Sequence, residues 1–213
     1  LLMNNLNKHT EYLNSKDKHI EYLNNKVYFT KDNRLLTPNA QPVMMGWEDP
    51  IMKKSAELIC YNKGRILNVG FGLGLIDTYI QSHRVQEHWI IEAHPDVQNK
   101  MKKDGWDQKY NVTCLFDKWQ NVLNKLPKFD GIYFDTWKES LNPFHEIVPN
   151  ILKPGGKYTY WAPADLEVHS VFKSNNYKVE EDTIKLDYIA SNQKYYNTSK
   201  DLFNYKLITK SYN

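Results

Sequence analysis

Residues 65 to 92 constrain the fold of this chain more than any other stretch. A short apolar run, Arg65–Val69, feeds Gly70-Phe71-Gly72-Leu73-Gly74, in which glycine stands at every second position. A segment with helical apolar spacing follows at 75–80, and a second apolar run ends at Ile90-Ile91-Glu92. Strand, glycine turn, helix, strand and acid, in that order, are the layout of a nucleotide-cofactor site at the carboxyl edge of a parallel sheet. Glycine lets the backbone turn sharply and approach a ligand with no Cβ in the way. A carboxylate closing the next strand can accept hydrogen bonds from both hydroxyls of a ribose.

The same rhythm continues from Glu48 onward. The pattern predicts helix 50–61 with Pro50 in its first turn, strand 65–69, helix 74–83, strand 88–92 and a helix from Pro95 to 104. Strand 111–116, helix 119–126, strand 131–135 and helix 145–152 come next. Lys153-Pro154-Gly155-Gly156 reads as a turn before strand 157–161, and 177–186 with 204–209 as a strand pair finishing the sheet. Alternation of this kind predicts an α/β fold with a parallel sheet and helices on both faces.

The first 40 residues differ. His9-Thr10-Glu11-Tyr12-Leu13-Asn14-Ser15-Lys16 recurs as His19-Ile20-Glu21-Tyr22-Leu23-Asn24-Asn25-Lys26, and two copies are too few for a repeat architecture. The expectation is a short amphipathic helical arm over 1–40 that acts as a lid, with an extended piece at 27–30. Turn signals stand at Asp32-Asn33 and Pro38-Asn39. One domain, 41–213, would follow; 213 residues suit a single domain with a short appendage. A net charge of +3 does not argue for a nucleic-acid surface. No apolar run approaches the roughly 20 residues of a membrane span, and no signal-peptide pattern opens the chain. Cys60 and Cys114 sit among apolar neighbours and read as reduced core thiols, which fits a cytoplasmic protein.

The spacing G-x-G-x-G differs from the G-x-G-x-x-G of dinucleotide sites and suits S-adenosylmethionine better than NAD. Three carboxylates, Glu48, Glu92 and Asp135, fall at strand or helix ends that would face one crevice. Plainer roles are open to two of them, Glu48 as a helix cap and Asp135 as the start of a turn. Near a methyl donor, two carboxylates beyond Glu92 suit a cationic acceptor, and guanidinium is their planar match. With a pKa of about 13.8, a guanidinium costs about 9 kcal/mol to neutralise at pH 7. A carboxylate that takes the proton as the N–C bond forms addresses that cost. Trp47, Tyr133, Trp137 and Trp161 are candidates for apolar walls, and each also suits the core.

Several of these segments, in order, resemble a known family. Val43-Met44-Met45-Gly46-Trp47-Glu48-Asp49-Pro50-Ile51-Met52, followed by Asn68-Val69-Gly70-Phe71-Gly72, resembles guanidinoacetate N-methyltransferase. It resembles still more closely the fungal-type arginine δ-nitrogen methyltransferases, which share that catalytic domain. Ile90-Ile91-Glu92-Ala93-His94-Pro95-Asp96-Val97, Lys102-Lys103-Asp104-Gly105-Trp106, Phe129-Asp130-Gly131-Ile132-Tyr133-Phe134-Asp135-Thr136 and Leu152-Lys153-Pro154-Gly155-Gly156 continue it. The resemblance covers roughly residues 22 to 210.

It implies a Rossmann-like class I methyltransferase fold, with a mostly parallel seven-stranded sheet and an antiparallel C-terminal strand. It also implies site roles. Gly70, Phe71 and Gly72 would border adenosylmethionine, and Glu92 with Ala93 would meet its ribose. Asp117, Lys118 and Trp119 would lie beside the adenine, while Tyr28 and Met52 would help enclose the cofactor. Glu48 and Asp135 would grip the guanidino group, Asp135 as the base and also next to the cofactor. Trp47, Trp137 and Ala164 would complete the substrate side. Two departures bear on substrate. Asn68 replaces the usual acid at the start of the glycine motif. Pro163 and Ala164 align with the two backbone amides that hold guanidinoacetate's carboxylate, and proline has no N–H.

The expected function is therefore adenosylmethionine-dependent methylation of a guanidino nitrogen, that of arginine, free or in a small molecule, with S-adenosylhomocysteine as coproduct. A protein-arginine methyltransferase, guanidinoacetate methylation and a non-catalytic adenosylmethionine-binding module are the alternatives. The protein-directed relatives carry an ankyrin-like N-terminal extension that this sequence does not show, which favours a small-molecule substrate over an arginine side chain. No nucleic acid, membrane or metal is called for, and a homodimer stays open.

Overall fold

The computed structural model describes residues 17–162, 167–186 and 202–212. The arm is helical over 17–24, called α1. Strands β1 (Tyr28–Phe29), β2 (Arg34–Leu36) and β3 (Pro42–Met45) then form a small antiparallel sheet in that order. Its two hairpin turns fall at the Asp32-Asn33 and Pro38-Asn39 signals. β2 and β3 lie on either side of residue 40, so arm and body share this sheet. The first copy of the His-Glu-Tyr-Leu repeat lies outside the described residues.

A 3₁₀ turn, Gly46–Glu48, leads into α2 (Asp49–Ile59). The body continues with β4 (Arg65–Val69), α3 (Leu75–Ser82), β5 (Glu87–Ile91), α4 (Pro95–Lys103), β6 (Val112–Leu115) and α5 (Trp119–Val122). It closes with β7 (Phe129–Phe134), α6 (Asn142–Ile151), β8 (Leu152–Tyr160), β9 (Tyr177–Lys185) and β10 (Leu202–Lys210). The seven-stranded sheet has the order β6-β5-β4-β7-β8-β10-β9. β6, β5, β4, β7 and β8 run parallel, and β10 is antiparallel to both β8 and β9. This is the expected class I methyltransferase-like architecture.

Successive residues of a strand face opposite sides of the sheet. Ile66 and Ile90 accordingly join one core with α2, α3 and α4, while Leu67 and Ile91 join a second with α5 and α6. Both faces of β4 and β5 are covered, which is why apolar residues stand on both faces of each strand rather than alternating with polar ones. Helix α2 buries Ile51, Met52, Ser55, Ala56 and Ile59, a single stripe at helical spacing. It crosses so close to β7 that a Cβ on Gly131 would lie 2.2 Å from the Ile59 carbonyl oxygen.

Three elements depart from the sequence reading. Lys153-Pro154-Gly155-Gly156 does not precede the last parallel strand but bulges within it. Phe129 pairs with Leu152 and Gly131 with Lys157, so the β8 side carries the extra residues, and Gly155 at φ 74° supplies the reversal. The helix expected over 119–126 is α-helical only to Val122 and tightens to 3₁₀ over Leu123–Lys125. Asn121 and Asn124, which favour turns over helix interiors, lie in this stretch. β2 and β3 are too short for a period of two to show. Cys60 and Cys114 are both free thiols. Among the described residues no helix is long and apolar enough to cross a membrane.

Candidate active site

Ligand crevices in open α/β sheets form where the strand order reverses. Here that point lies between β4, which leads to β5 and β6, and β7, which leads to β8 on the other side. The carboxyl ends of β4, β5 and β7 deliver Gly70, Glu92 and Asp135 side by side. Backbone hydrogen bonds stitch the three ends together. The Gly70 N–H donates to the Ile91 oxygen and the Asp135 N–H to the Val69 oxygen, both at 2.9 Å. Gly70 has φ 95°, and a Cβ there would sit 1.9 Å from the Asp135 carbonyl oxygen. Both facts require glycine.

Glu92 is buried and braces the glycine turn. Its Oε2 accepts the Phe71 N–H at 2.8 Å and its Oε1 the His94 N–H at 2.6 Å. Burial pushes its carboxyl above the usual range, and these backbone N–H groups pull it back. The Gly72 and Ala93 N–H groups act on it in the same sense, so four backbone donors gather around this carboxylate at the edge of the crevice.

The crevice holds roughly 600 Å³ of empty space, its open mouth included. Gly70, Gly72, Glu92, Ala93, Asp117, Lys118, Trp119, Asp135 and Trp137 line it, so nine sequence-predicted positions meet in one cleft. Tyr28, Trp47, Glu48, Met52 and Phe71 do not. Tyr28 is exposed on β1, and Met52 is fully buried on the inner face of α2. Phe71 turns inward, edge-on to Trp106 at 5.3 Å, and Trp47 packs half-buried on the first core. Tyr133 is core as well, at 1% exposure. Pro163 and Ala164 lie outside the described residues.

Glu48 stands behind the cleft at 6% exposure. Its Oε1 accepts the Met45 N–H at 2.8 Å, and the Trp161 side chain hydrogen-bonds it as well. Burial, then the nearby Asp135 charge, pushes the Glu48 carboxyl up to about 8, against the pull of those two donors. Burial alone raises Asp135 to about 7. Among the described residues, no Lys or Arg side chain acts on either group. Two buried carboxyls close enough to interact, with no cation between them, would suit a cationic ligand.

The arm supplies residues that the sequence did not mark. His19 and Tyr22 of α1 line the cleft. His19 Nδ1 lies 2.8 Å from the Trp137 oxygen, and the Tyr22 ring packs between His94 at 4.6 Å and Trp137 at 5.0 Å. Met44 lines it too, its sulfur accepting the Leu73 N–H at 3.2 Å. Glu139 closes the far rim by accepting from the Trp119 indole at 2.9 Å. Sequence spacing does not mark any of these positions as site residues, although His19 and Tyr22 fall in the second repeat copy and Met44 in the Val43–Met52 segment.

Comparison with known proteins agrees with this geometry. "Protein arginine N-methyltransferase 2" of Yarrowia lipolytica is 43% identical over 166 residues, covering 70% of this chain and 35% of that protein. The protein of the same name from Saccharomyces cerevisiae is 42% identical over 145 residues, covering 62% of this chain and 35% of that one. The chain thus spans about a third of the length of these curated relatives. Among solved structures, the O-methyltransferase TomG from Streptomyces achromogenes, in complex with SAM, superposes with a TM-score of 0.57 at 12% identity. That match covers 76% of this chain and 80% of TomG, and it is a likeness of fold. A family model described as guanidinoacetate N-methyltransferase matches residues 11–199, from the arm to beyond β9. The glycine turn, Glu92, Glu48 and Asp135 all fall inside that match, and the chain belongs to the guanidinoacetate N-methyltransferase family.

Proposed function

We propose that this chain transfers the methyl group of S-adenosylmethionine to a guanidino nitrogen of arginine, free or in a small molecule. The observation that carries this reading is the buried carboxylate pair of Asp135, which lines the glycine-turn cleft, and Glu48, which stands behind it. Adenosylmethionine, when bound, supplies an electrophilic methyl on a cationic sulfur. The residues present suit it. Glu92 lines the cleft where ribose hydroxyls would lie, Gly70 and Gly72 leave the cleft floor free of side chains, and Asp117 to Trp119 wall the base end.

The remaining work falls to the carboxylates. Glu48, its orientation fixed by the Met45 N–H and Trp161, grips one edge of the guanidinium. Asp135 has no side-chain hydrogen bond among the described residues. It is free to take the proton from the reacting nitrogen as the new N–C bond forms. A carboxyl raised to about 7 is a far better match to that task than one near 4. The arm helix, lying over the cleft through His19 and Tyr22, excludes water and serves as the lid.

A second reading, in which the acceptor is an arginine side chain within a protein, draws support from the names of the relatives. Side-by-side kinetics on free arginine, guanidinoacetate and a basic protein extract separate the readings. Pro163 lacks the N–H that a short substrate's carboxylate would need, so arginine should exceed guanidinoacetate in kcat/KM by at least roughly tenfold. Turnover of the protein extract alone would move the assignment to the second reading.

Two further outcomes are expected. Glu92→Ala should weaken adenosylmethionine binding by about 1.5–3 kcal/mol, the range for hydrogen bonds to a charged group. Unchanged affinity by calorimetric titration would take Glu92 out of the site. Removal of residues 1–26 should leave a folded body that binds cofactor and substrate more weakly together; full activity of the truncated chain would deny the arm a lid role.

A further inference from the structure

One buried side chain that the proposed chemistry does not use joins the edge of the cleft to the arm. His94 is 1% exposed and does not line the cleft. Its backbone N–H braces Glu92 at 2.6 Å. Its Nδ1 lies 3.1 Å from the Asp96 nitrogen and caps the N-terminus of α4. Its Nε2 lies 3.0 Å from the Asn25 carbonyl oxygen, just past the C-terminal end of α1. A backbone N–H can only donate and a carbonyl can only accept, so Nδ1 is the acceptor and Nε2 carries the proton. Burial holds the imidazole below the usual histidine range, in keeping with the neutral ring that this arrangement needs.

A neutral imidazole has one donor and one acceptor, and here each meets a helix end. The first N–H groups and the last carbonyls of a helix have no partner within it. Helix α1, over 17–24, falls below the roughly 12–15 residues under which an isolated helix is marginal in water. Its place therefore depends on tertiary contacts. Near its start, His19 Nδ1 donates to the Trp137 oxygen. Near its end, the ties run to the beginning of α4. Besides the Asn25 bond, the Tyr22 ring packs on the His94 ring at 4.6 Å, and the Val27 N–H donates to Asp96 Oδ2 at 3.0 Å. Tyr22 and Leu23, between the two sets of ties, line the cleft together with Glu92.

We propose that His94 is a positioning residue, which holds the arm helix on the cofactor cleft by capping α1 and α4 at once. This rests on the functional reading above, in which the cleft takes adenosylmethionine and the arm is its lid. The backbone of His94 fixes Glu92 and its side chain fixes the arm. The cofactor-binding carboxylate and the lid thus share one support, and the arm's hold on the cofactor depends on an imidazole outside the cleft lining.

Asparagine and glutamine separate the two caps. His94→Asn puts polar atoms where Nδ1 stands, so it keeps the α4 cap and loses the reach to Asn25. His94→Gln, one carbon longer, puts an amide nitrogen near Nε2, so it keeps a donor for Asn25 and gives up the α4 cap. Two quantities are read on the full chain. One is the Kd of S-adenosylhomocysteine by calorimetry. The other is the rate of trypsin cleavage after Lys18 and Lys26, with and without that ligand, while thermal melts report folding. In the unsubstituted protein the ligand should slow cleavage of the arm. His94→Asn should weaken the ligand about threefold to tenfold, the loss of one hydrogen bond, and abolish most of that protection. His94→Gln should recover most of both. Affinity and protection retained in His94→Asn overturn the proposal, as does a His94→Gln variant that folds and loses as much as His94→Asn. If His94→Gln does not fold, His94→Asn decides alone: lost protection with an unchanged melt supports the proposal, and retained protection overturns it. A His94→Asn variant too unstable to bind would make His94 a requirement of the body and overturn it too. Ligand that binds the unsubstituted protein without protecting the arm removes the lid and this proposal with it. Failure of the unsubstituted protein to bind adenosylmethionine or its product would instead count against the proposed function.

Discussion

Asp135→Asn is expected to lower kcat on the order of 10²–10⁴-fold, the range typical of a positioned general base. The substitution keeps the size and planarity of the side chain and removes its charge and basicity. The β7 end should hold its place, because the Asp135 backbone N–H still bonds the Val69 oxygen. Binding of the cofactor should suffer far less than turnover, since Glu92 and the glycine turn are untouched. The loss should be no smaller at higher pH, because the amide has no proton acceptor to regain. Near-normal turnover would show that the proton leaves by another route, and the proposed role of Asp135 would fall.

The second large effect concerns stability and pH. In the free chain, burial raises Asp135 to about 7 and Glu48 to about 8, whereas unfolded Asp and Glu titrate near 3.9 and 4.3. Between about pH 4 and 8 the folded state therefore holds more protons than the unfolded one, so stability falls as pH rises. The contribution is complete below about pH 4 and is lost as pH climbs through 7 to 8. At 1.36 kcal/mol per unit, each carboxyl's shift corresponds to roughly 4 kcal/mol at the upper end of that window. Glu48→Gln removes one charge and relieves its neighbour. Its melting temperature should exceed that of the unsubstituted protein at pH 8.5 and converge with it near pH 5. Arginine, by supplying the missing cation, should stabilise the unsubstituted protein most at high pH. Parallel pH profiles for the two proteins would mean that the pair is not strained in the folded state.

Much of the fold was legible because the body of the chain repeats one physical unit. The runs at 65–69, 88–92 and 131–135 are mostly apolar on both faces because both faces are covered, and glycine or proline marks several of the turns between elements. Gly70, Glu92 and Asp135 were legible for the same reason: each ends a strand, and the reversal of strand order brings those ends together. The small sheet of β2 and β3 was not legible, its strands being three and four residues long. Tyr22, Met44 and Glu139 reach the cleft from segments far apart in sequence, and only tertiary packing brings them in. Phe71 and Met52 show the opposite limit. Their motif neighbours line the cleft or flank it, but the backbone turns these two side chains into the core.

The account rests on methyl transfer to a guanidino nitrogen between Glu48 and Asp135. The most direct measurement incubates the chain with adenosylmethionine labelled on its methyl group and with arginine, then fragments the product to locate the label. The prediction is a label on a guanidino nitrogen, formed by the unsubstituted chain and reduced on the order of 10²-fold or more in Asp135→Asn. A label on the α-amino group, or cofactor binding with no transfer to arginine, guanidinoacetate or a basic protein, would contradict it.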